Sequence, residues 1–277
     1  MSCTRLSTGM PGPEHRLSPV TVKRVLTMLS AGEVNDLLTN RFATVRSALL
    51  EMMTESGEQR ERPEEAMRHT VGFDGRECTD SFVRGEKSRR RKCASSVTVS
   101  DCTLKKAIGS RAVKKNREAG AFIRMMAGLD IRGTVVMADA LNSEADVSAE
   151  IIRHRADYCL NIKRNAGNKE LLSHLEGLFN RDFALGEKSE DIELSRCEKG
   201  HGRVDQWKIE VLPASKLDSR IKNPHKGTAT LVRYTKTSVN IRNGKETKVT
   251  ENTRYYVSSL SFSRGNATQI LYSIMDY

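Results

Sequence analysis

Two aspartates, Asp74 and Asp139, directly follow short, mostly apolar segments of the chain. Those segments, residues 69–73 and 134–138, have the composition of buried β-strands. If the two strands run parallel as neighbours, both carboxylates emerge at the edge of the sheet where ligand sites of α/β proteins form. Paired carboxylates at such an edge suit Mg²⁺ or Mn²⁺, which prefer oxygen ligands and bind phosphate as well. An alternative stays open for each residue, because aspartates at strand ends also cap turns and helices.

The segments that would position these aspartates alternate between strand-like and helix-like patterns. Apolar residues at helical spacing separate the apolar runs, and Ser143 is placed to cap one of the helices. The alternation predicts an α/β fold whose sheet has at least some parallel pairing. Strands are expected at 69–73, 94–100, 104–112, 134–138 and 158–162, and helices at 118–129, 143–152 and 168–179.

The two ends of the chain show other patterns. Residues 192–260 contain strand-like runs separated by turns, a spacing that suits hairpins better than β-α-β units, and residues 266–277 begin a helix. Near the start, apolar residues at helical spacing follow Ser18 and Ser30, and the polar residues 55–65 resemble a linker. We therefore expect an N-terminal helical region and linker over 1–65, and an α/β domain over 66–277 with a β-rich insertion at about 190–260.

Positive charge is concentrated in one stretch. The 277 residues include 46 Lys and Arg against 35 Asp and Glu, a net charge of +11, and the stretch from Arg84 to Arg117 holds twelve basic residues and two acidic ones. Such a stretch is either a solvated face or disordered loop, or a contact for nucleic-acid phosphates, and we favour backbone-directed DNA or RNA binding with little base specificity. The residues expected to bind DNA are Arg89, Arg90, Arg91, Lys92, Lys105, Lys106, Lys114 and Lys115.

Composition argues against several other classes of protein. No apolar run approaches the roughly 18 residues that a membrane span needs, and the first twenty residues contain three prolines and no signal-like apolar segment. The six cysteines have neither C-x-x-C pairs nor ligand-like spacing to histidine, which argues against a zinc site or a disulfide framework. We therefore expect a cytoplasmic protein with free thiols and no membrane partner, and the family resemblance described below implies association with the bacterial nucleoid.

Several segments, in order along the chain, resemble those of one protein group. GFDG (72–75) and VVMADALNSEADVSAEIIRHRADYCLNIKRN (135–165) resemble the two catalytic blocks of bacterial insertion-sequence transposases of the H-repeat-associated group. EKGHGRVD (198–205) resembles the Gly-His-Gly-Arg segment of that group, and TRYYVSSL (253–260) resembles its Arg-Tyr-Tyr strand. KKNREA (114–119) and the helical residues 13–50 agree as well, so the resemblance covers most of the chain.

The resemblance implies a DDE transposase with a ribonuclease-H-like domain, which is a mixed sheet with flanking helices. Asp74 and Asp139 would be the first two acidic residues of the triad and would hold two Mg²⁺ or Mn²⁺ ions that activate water or a 3′-hydroxyl. The implied partner is double-stranded DNA, both transposon ends and target, with a possible homo-oligomer assembled on it.

Four further residues acquire a role through the resemblance. Lys163 and Asn165 would contact phosphate at the end of the strand that follows Asp139. His201 and Arg203 would contact DNA or the region of the scissile bond. Alternatives stay open, since Lys163 could be a solvated strand end and His201 a turn residue bonded to the backbone.

The third acidic residue is where this sequence departs from the group. There it lies on a helix after the Arg-Tyr-Tyr strand, in a Trp-x-Ile-Glu-Asn-like stretch, and this sequence ends at Tyr277 before that point. Asp276 is not assigned to the role. We therefore expect a truncated or impaired transposase, slowed by the loss of an electrostatic stabiliser, or a transposase-derived DNA-binding protein that cannot cleave. A metal-dependent nuclease unrelated to transposition is a third alternative.

Overall fold

A computed structural model describes Thr44 and residues 67–78, 94–113, 118–139, 145–164, 167–184, 192–200, 202–242 and 245–277. These ranges contain nine strands, four α-helices and a short 3₁₀ helix at Ala214–Lys216. The strands are β1 (Thr70–Cys78), β2 (Ala94–Asp101), β3 (Lys106–Val113), β4 (Val135–Ala138), β5 (Asp157–Ile162), β6 (Ile192–Gly200), β7 (Arg203–Pro213), β8 (Thr230–Arg242) and β9 (Lys245–Ser258). The helices are α1 (Glu118–Met126), α2 (Ala145–Arg153), α3 (Lys169–Ala184) and α4 (Arg264–Asp276).

The nine strands form one mixed sheet in the order β3-β2-β1-β4-β5-β9-β8-β7-β6. At its centre β1, β4 and β5 run parallel to one another, and the other neighbouring pairs are antiparallel. All four residues of β4 are buried, as expected for a continuous apolar run covered on both faces of a sheet. The predicted α/β sheet with parallel pairing is confirmed.

Helices cover both faces of this sheet. α1, α2 and α3 pack on one face, where Phe73 of β1 stacks on Phe122 of α1 with ring centroids 3.7 Å apart. α4 packs on the opposite face against β4, β5 and β7–β9. Because successive strand residues point to opposite faces, Thr70 and Gly72 of β1 point toward α4 whereas Phe73 points away from it.

Strands β6–β9 pair with one another in chain order, each antiparallel to the next, and so form the β-rich segment that the sequence predicted. β9 pairs with β5 over Tyr255–Ser258 only, but its pairing with β8 continues to Lys245. Since β9 is antiparallel to β5, its remaining ten residues extend about 33 Å past the edge where β1, β4 and β5 stop pairing. The extended part, named the arm below, consists of residues 194–200, 203–209, 234–242 and 245–254.

Some sequence predictions change or fall outside the described residues. β1 was expected to end at Asp74, but only its parallel pairing with β4 ends there, because antiparallel pairing with β2 carries the strand on to Cys78. The predicted N-terminal helices, the linker and the capping residue Ser143 lie outside the described residues, apart from Thr44, which is helical. None of the helices in the described part of the chain is long and apolar enough to cross a membrane.

Candidate active site

Asp74 and Asp139 lie side by side where β1 and β4 stop pairing. The parallel register ends with Phe73 opposite Ala138, so each aspartate is the next residue on its own strand. Neighbouring strands are about 5 Å apart, and residues at matching positions share a face of the sheet. Gly72, two residues before Asp74, faces α4, so both carboxylates lie on the α4 face. The structure thus brings together the two acidic residues that the sequence singled out.

Tyr277, at the end of α4, reaches the same strand ends. Its hydroxyl donates a 2.7 Å hydrogen bond to the carbonyl oxygen of Phe73. Burial raises the pKa of this phenol above its ordinary value, and the charges of Asp74 and Asp139 raise it further. The phenol therefore lies at the strand end that precedes Asp74, on the face that the two carboxylates share.

Polar contacts hold α4 in this position. Ser263 caps the start of the helix by accepting a 3.2 Å hydrogen bond from the backbone N–H of Asn266. Farther along, the Gln269 amide accepts from the backbone N–H of Arg68 at 2.7 Å and donates to the carbonyl of Arg68 at 3.1 Å. The helix is therefore fixed to the residues just before β1, and its last turn lies beside the carboxylates.

Gly72 permits the close approach of α4 to β1. A Cβ atom at this position would lie 2.5 Å from Sγ of Cys102 and 2.8 Å from Cδ2 of Tyr277. Burial raises the pKa of the Cys102 thiol to about 11, so the thiol stays protonated at neutral pH and is a poor metal ligand. Cys102 and Tyr277 could not be recognised as site residues from the sequence, where Gly72, two residues before the first aspartate, is the one signal of a close approach.

Two side chains contact Asp139: Asn161, which lies in the neighbouring strand β5, and Lys163, which directly follows that strand. The ammonium of Lys163 lies 2.6 Å from Oδ1 and 2.8 Å from Oδ2 of Asp139. Nδ2 of Asn161 donates a longer hydrogen bond, 3.4 Å, to Oδ1. The side chains of Lys163 and Asp139 are 52% and 39% exposed, so the pair is open to solvent and to ligands.

The available ligands for a divalent cation are the oxygens of Asp74 and Asp139. Carboxylates on adjacent strands are close enough to share one hard cation, with water or phosphate completing its coordination, so the donor set fits Mg²⁺ or Mn²⁺. Within the described ranges no three His, Cys, Asp or Glu residues form a group suited to a metal ion. At the end of α4 the phenol of Tyr277 lies beside this pair, and the charge of Asp276, the last residue of the helix, helps to raise the pKa of the adjacent Cys102 thiol.

Most residues predicted to bind DNA fall outside the described ranges, and the others are dispersed. Lys105 and Lys106 are exposed and lie at the turn between β2 and β3. The register of β2 places this turn beside Val71, at the end of β1 opposite to Asp74. The two lysines and the carboxylates therefore lie at opposite edges of the sheet. The residues outside the described ranges are Arg89, Arg90, Arg91, Lys92, Lys114, Lys115, Asn165 and His201.

Arg203, by contrast, lies on the arm that extends from the carboxylate edge. Its guanidinium is 2.8 Å from Oδ2 of Asp205 and its side chain is 53% exposed. Alternation along the strands places it on the α4 face of the sheet, which is also the face of the carboxylates. The side chains of Lys236, Lys248 and Arg254 share this face of the arm.

Where the arm meets the last turns of α4, the same face contains a cleft of about 550 Å³. Its floor includes Trp207 and Tyr234, and the ammonium of Lys236 lies 5.2 Å from the centroid of the Trp207 ring. Ile274 and Met275 of α4 form the opposite wall. Sequence analysis gave no signal for this cleft, since its residues come from four separate segments.

The chain matches no protein-family model, but it is similar to three proteins of Escherichia coli K12. "H repeat-associated putative transposase YbfD" is 27% identical over 140 residues, which are 49% of this chain and 51% of that protein. "H repeat-associated putative transposase YhhI" is 26% identical and "Putative protein YbfL" 28% identical, each over 138 residues that cover 49% of this chain and 34% of the relative. The chain thus spans between about a third and a half of the length of the curated relatives it matches.

One solved structure, a piggyBac transposase synaptic complex with hairpin DNA, is a weak structural neighbour. The structural match covers 75% of this chain and 37% of the piggyBac transposase chain, with 11% sequence identity and a TM-score of 0.35. This likeness is too weak to assign the fold. The relationship to known proteins rests instead on the relatives found by sequence. Over about half of the chain they confirm the resemblance seen in the sequence, and the chain is related, at a distance, to the H repeat-associated transposases.

Proposed function

We propose that this chain is a DDE-type DNA transposase with a ribonuclease-H-like catalytic fold, which cleaves and transfers the strands of an insertion sequence. The observation that carries the proposal is the pairing of Asp74 and Asp139 on adjacent parallel strands. A mixed sheet with helices on both faces is the architecture that such a domain requires. The similarity to H repeat-associated transposases supports the same function.

Asp74 and Asp139 would hold Mg²⁺ or Mn²⁺ between β1 and β4. When bound, such a cation stabilises negative charge on the attacking and leaving oxygens of a phosphoryl transfer. The side chains of this protein would then position the DNA backbone. Asn161 donates to Asp139 and fixes the orientation of that carboxylate, and Lys163 at the same strand ends lies within reach of a phosphate.

The arm provides a surface for the double-stranded DNA of the transposon ends or the target. Arg203, Lys236, Lys248 and Arg254 project from the face that continues from the carboxylates, with Asp205 among them paired to Arg203 and Lys236. Cations aligned along a strand neutralise DNA phosphates and release counterions, which yields affinity without base specificity. DNA bound along the arm would reach the carboxylate edge, where a homo-oligomer could assemble on it.

A nicking assay on supercoiled DNA that carries transposon ends tests the proposal. Wild-type protein should nick this DNA when Mg²⁺ or Mn²⁺ is present, and Asp139→Asn should abolish nicking. Asp130→Asn is the matched control, because Asp130 is an exposed, ion-paired aspartate in the loop before β4, at the other end of that strand. Nicking that survives Asp139→Asn would remove the two-carboxylate mechanism.

A second candidate function is DNA binding without cleavage, favoured by the cations Arg203, Lys236, Lys248 and Arg254 on one face of the arm. Binding would then fall steeply with salt, as for any complex dominated by phosphate contacts, while no nick forms in any divalent cation. A combined Lys236→Ala and Lys248→Ala variant should lower the salt slope of binding by roughly 2 if both lysines contact phosphate. An unchanged slope would show that DNA does not follow the arm.

A further inference from the structure

Lys163 contacts both oxygens of Asp139, one of the two carboxylates of the candidate cation site. Its ammonium lies 2.6 Å from one carboxylate oxygen of Asp139 and 2.8 Å from the other, so it bridges the whole anionic end of that side chain. Nδ2 of Asn161 also donates to Oδ1 of Asp139, at 3.4 Å. Asp74 and the phenol of Tyr277 are the other polar side chains assigned to this site.

We propose that the Lys163 ammonium takes the place of the divalent cation at Asp139. Lys163 must therefore leave Asp139 before the cation can bind there. This inference rests on the proposed function, because it concerns the same carboxylates. An ammonium and a divalent cation cannot both occupy the two oxygens of one carboxylate, since like charges at such a short distance repel strongly. In the absence of the cation, the lysine neutralises Asp139.

Release of Lys163 would couple cation binding to DNA binding. The side chain is 52% exposed and lies at a strand end, so its long stem can swing away from Asp139 without disturbing the buried strand. The freed ammonium lies at the edge where the arm would deliver a DNA phosphate. One residue therefore neutralises a carboxylate before the cation binds and a phosphate afterwards.

Mn²⁺ titration of the full chain, followed by electron paramagnetic resonance of free Mn²⁺, tests this inference. Lys163→Met removes the competing charge and should tighten Mn²⁺ binding about fivefold to tenfold, whereas Lys163→Arg, which keeps the charge, should stay near wild type. Arg164→Met is the matched control for charge alone, because Arg164 is the neighbouring cation, is 63% exposed, and contacts Glu176 at 3.7 Å instead of Asp139. Asp139→Asn should abolish the Mn²⁺ binding that these variants share.

The outcomes separate this inference from the proposed function. If Lys163→Met binds Mn²⁺ no tighter than Arg164→Met does, Lys163 is not a substitute cation, although the cation site stands. If no folded variant binds Mn²⁺, the cation site itself fails and the inference fails with it. In the wild-type chain, the Lys163 ammonium resonance observed by NMR should shift when diamagnetic Mg²⁺ is added, and an unchanged resonance at saturating Mg²⁺ would also overturn the inference.

Discussion

Thr70 and Ser273 place their hydroxyl oxygens 2.8 Å apart in the buried interface between β1 and α4. Ser273 also accepts a 3.0 Å hydrogen bond from Nε2 of Gln269, one helical turn earlier. These contacts join the start of β1 to the last turns of α4, although 203 residues separate the two hydroxyls. The position of α4 beside Asp74 and Asp139 therefore depends on a small buried polar network.

Replacing the serine of this network should destabilise the fold. Ser273→Ala leaves the Thr70 hydroxyl and the Gln269 amide short of a partner in a buried place, which costs about 1–3 kcal/mol of unfolding free energy. Urea unfolding measures the change, and Ser215→Ala, at an exposed position of the 3₁₀ helix, is the control expected to be neutral. Equal unfolding midpoints for the two variants would show that the network contributes nothing to stability.

Gly72→Ala should also destabilise the protein, for a steric reason. The new methyl group would lie 2.5 Å from Sγ of Cys102, a distance that forces Cys102 or Tyr277 to move, and overpacking of this kind costs about 1–3 kcal/mol. Gly177→Ala is the contrasting variant, since no atom lies within 4 Å of its added methyl and alanine favours the interior of α3 by about 1 kcal/mol. Thermal unfolding should therefore shift in opposite directions for the two changes.

The pairing of Asp74 with Asp139 could be predicted because it depends on local signals. Each aspartate directly follows an apolar run, and parallel neighbouring strands bring such residues to one edge without further information. The strands, the helices after residue 118 and the hairpins of β6–β9 follow from periodicity in the same way. The ribonuclease-H-like assignment came from family resemblance and stays a proposal.

The partners of these aspartates could not be predicted, because they depend on long-range packing. Tyr277 reaches Asp74 only after α4 has folded across the sheet, and no periodicity records which strand ends a helix will meet. The contact between the Lys163 ammonium and Asp139 is a further case, and the predicted phosphate contact of Lys163 stays a prediction. The basic stretch likewise looked continuous in the sequence, but the β2–β3 hairpin carries Lys105 and Lys106 to the edge opposite Asp74.

His225 should make stability depend on pH. The residue is 3% exposed, neither ring nitrogen has a hydrogen-bond partner in the described structure, and burial lowers its pKa from 6.5 to about 4. Above pH 6.5 both the folded and the unfolded chain carry it neutral. Below pH 6.5, His225 is protonated in the unfolded chain but stays neutral in the folded chain. The unfolding free energy therefore falls as the pH is lowered, until the pH reaches about 4.

Urea unfolding at pH 7.5 and pH 5 measures this effect. The depressed pKa of His225 predicts a loss of about 2 kcal/mol between these two values. His225→Phe should remove that part of the loss, whereas His154→Gln should keep it, because the His154 ring lies by Glu150 on the partly exposed surface of α2. If His225→Phe loses as much unfolding free energy between pH 7.5 and pH 5 as the wild-type protein does, groups other than His225 cause the pH dependence.

Tyr277→Glu should strengthen the cation site, because the phenol it replaces lies within the field of both Asp74 and Asp139. A third carboxylate there adds an oxygen ligand and a negative charge, and we expect Mn²⁺ to bind about tenfold more tightly than to wild type. Tyr277→Gln, which adds an oxygen without the charge, separates the two contributions. Nicking of end-containing DNA should rise together with Mn²⁺ affinity in the glutamate variant alone. If Tyr277→Glu and Tyr277→Gln bind Mn²⁺ equally, the end of α4 does not share a site with the two aspartates.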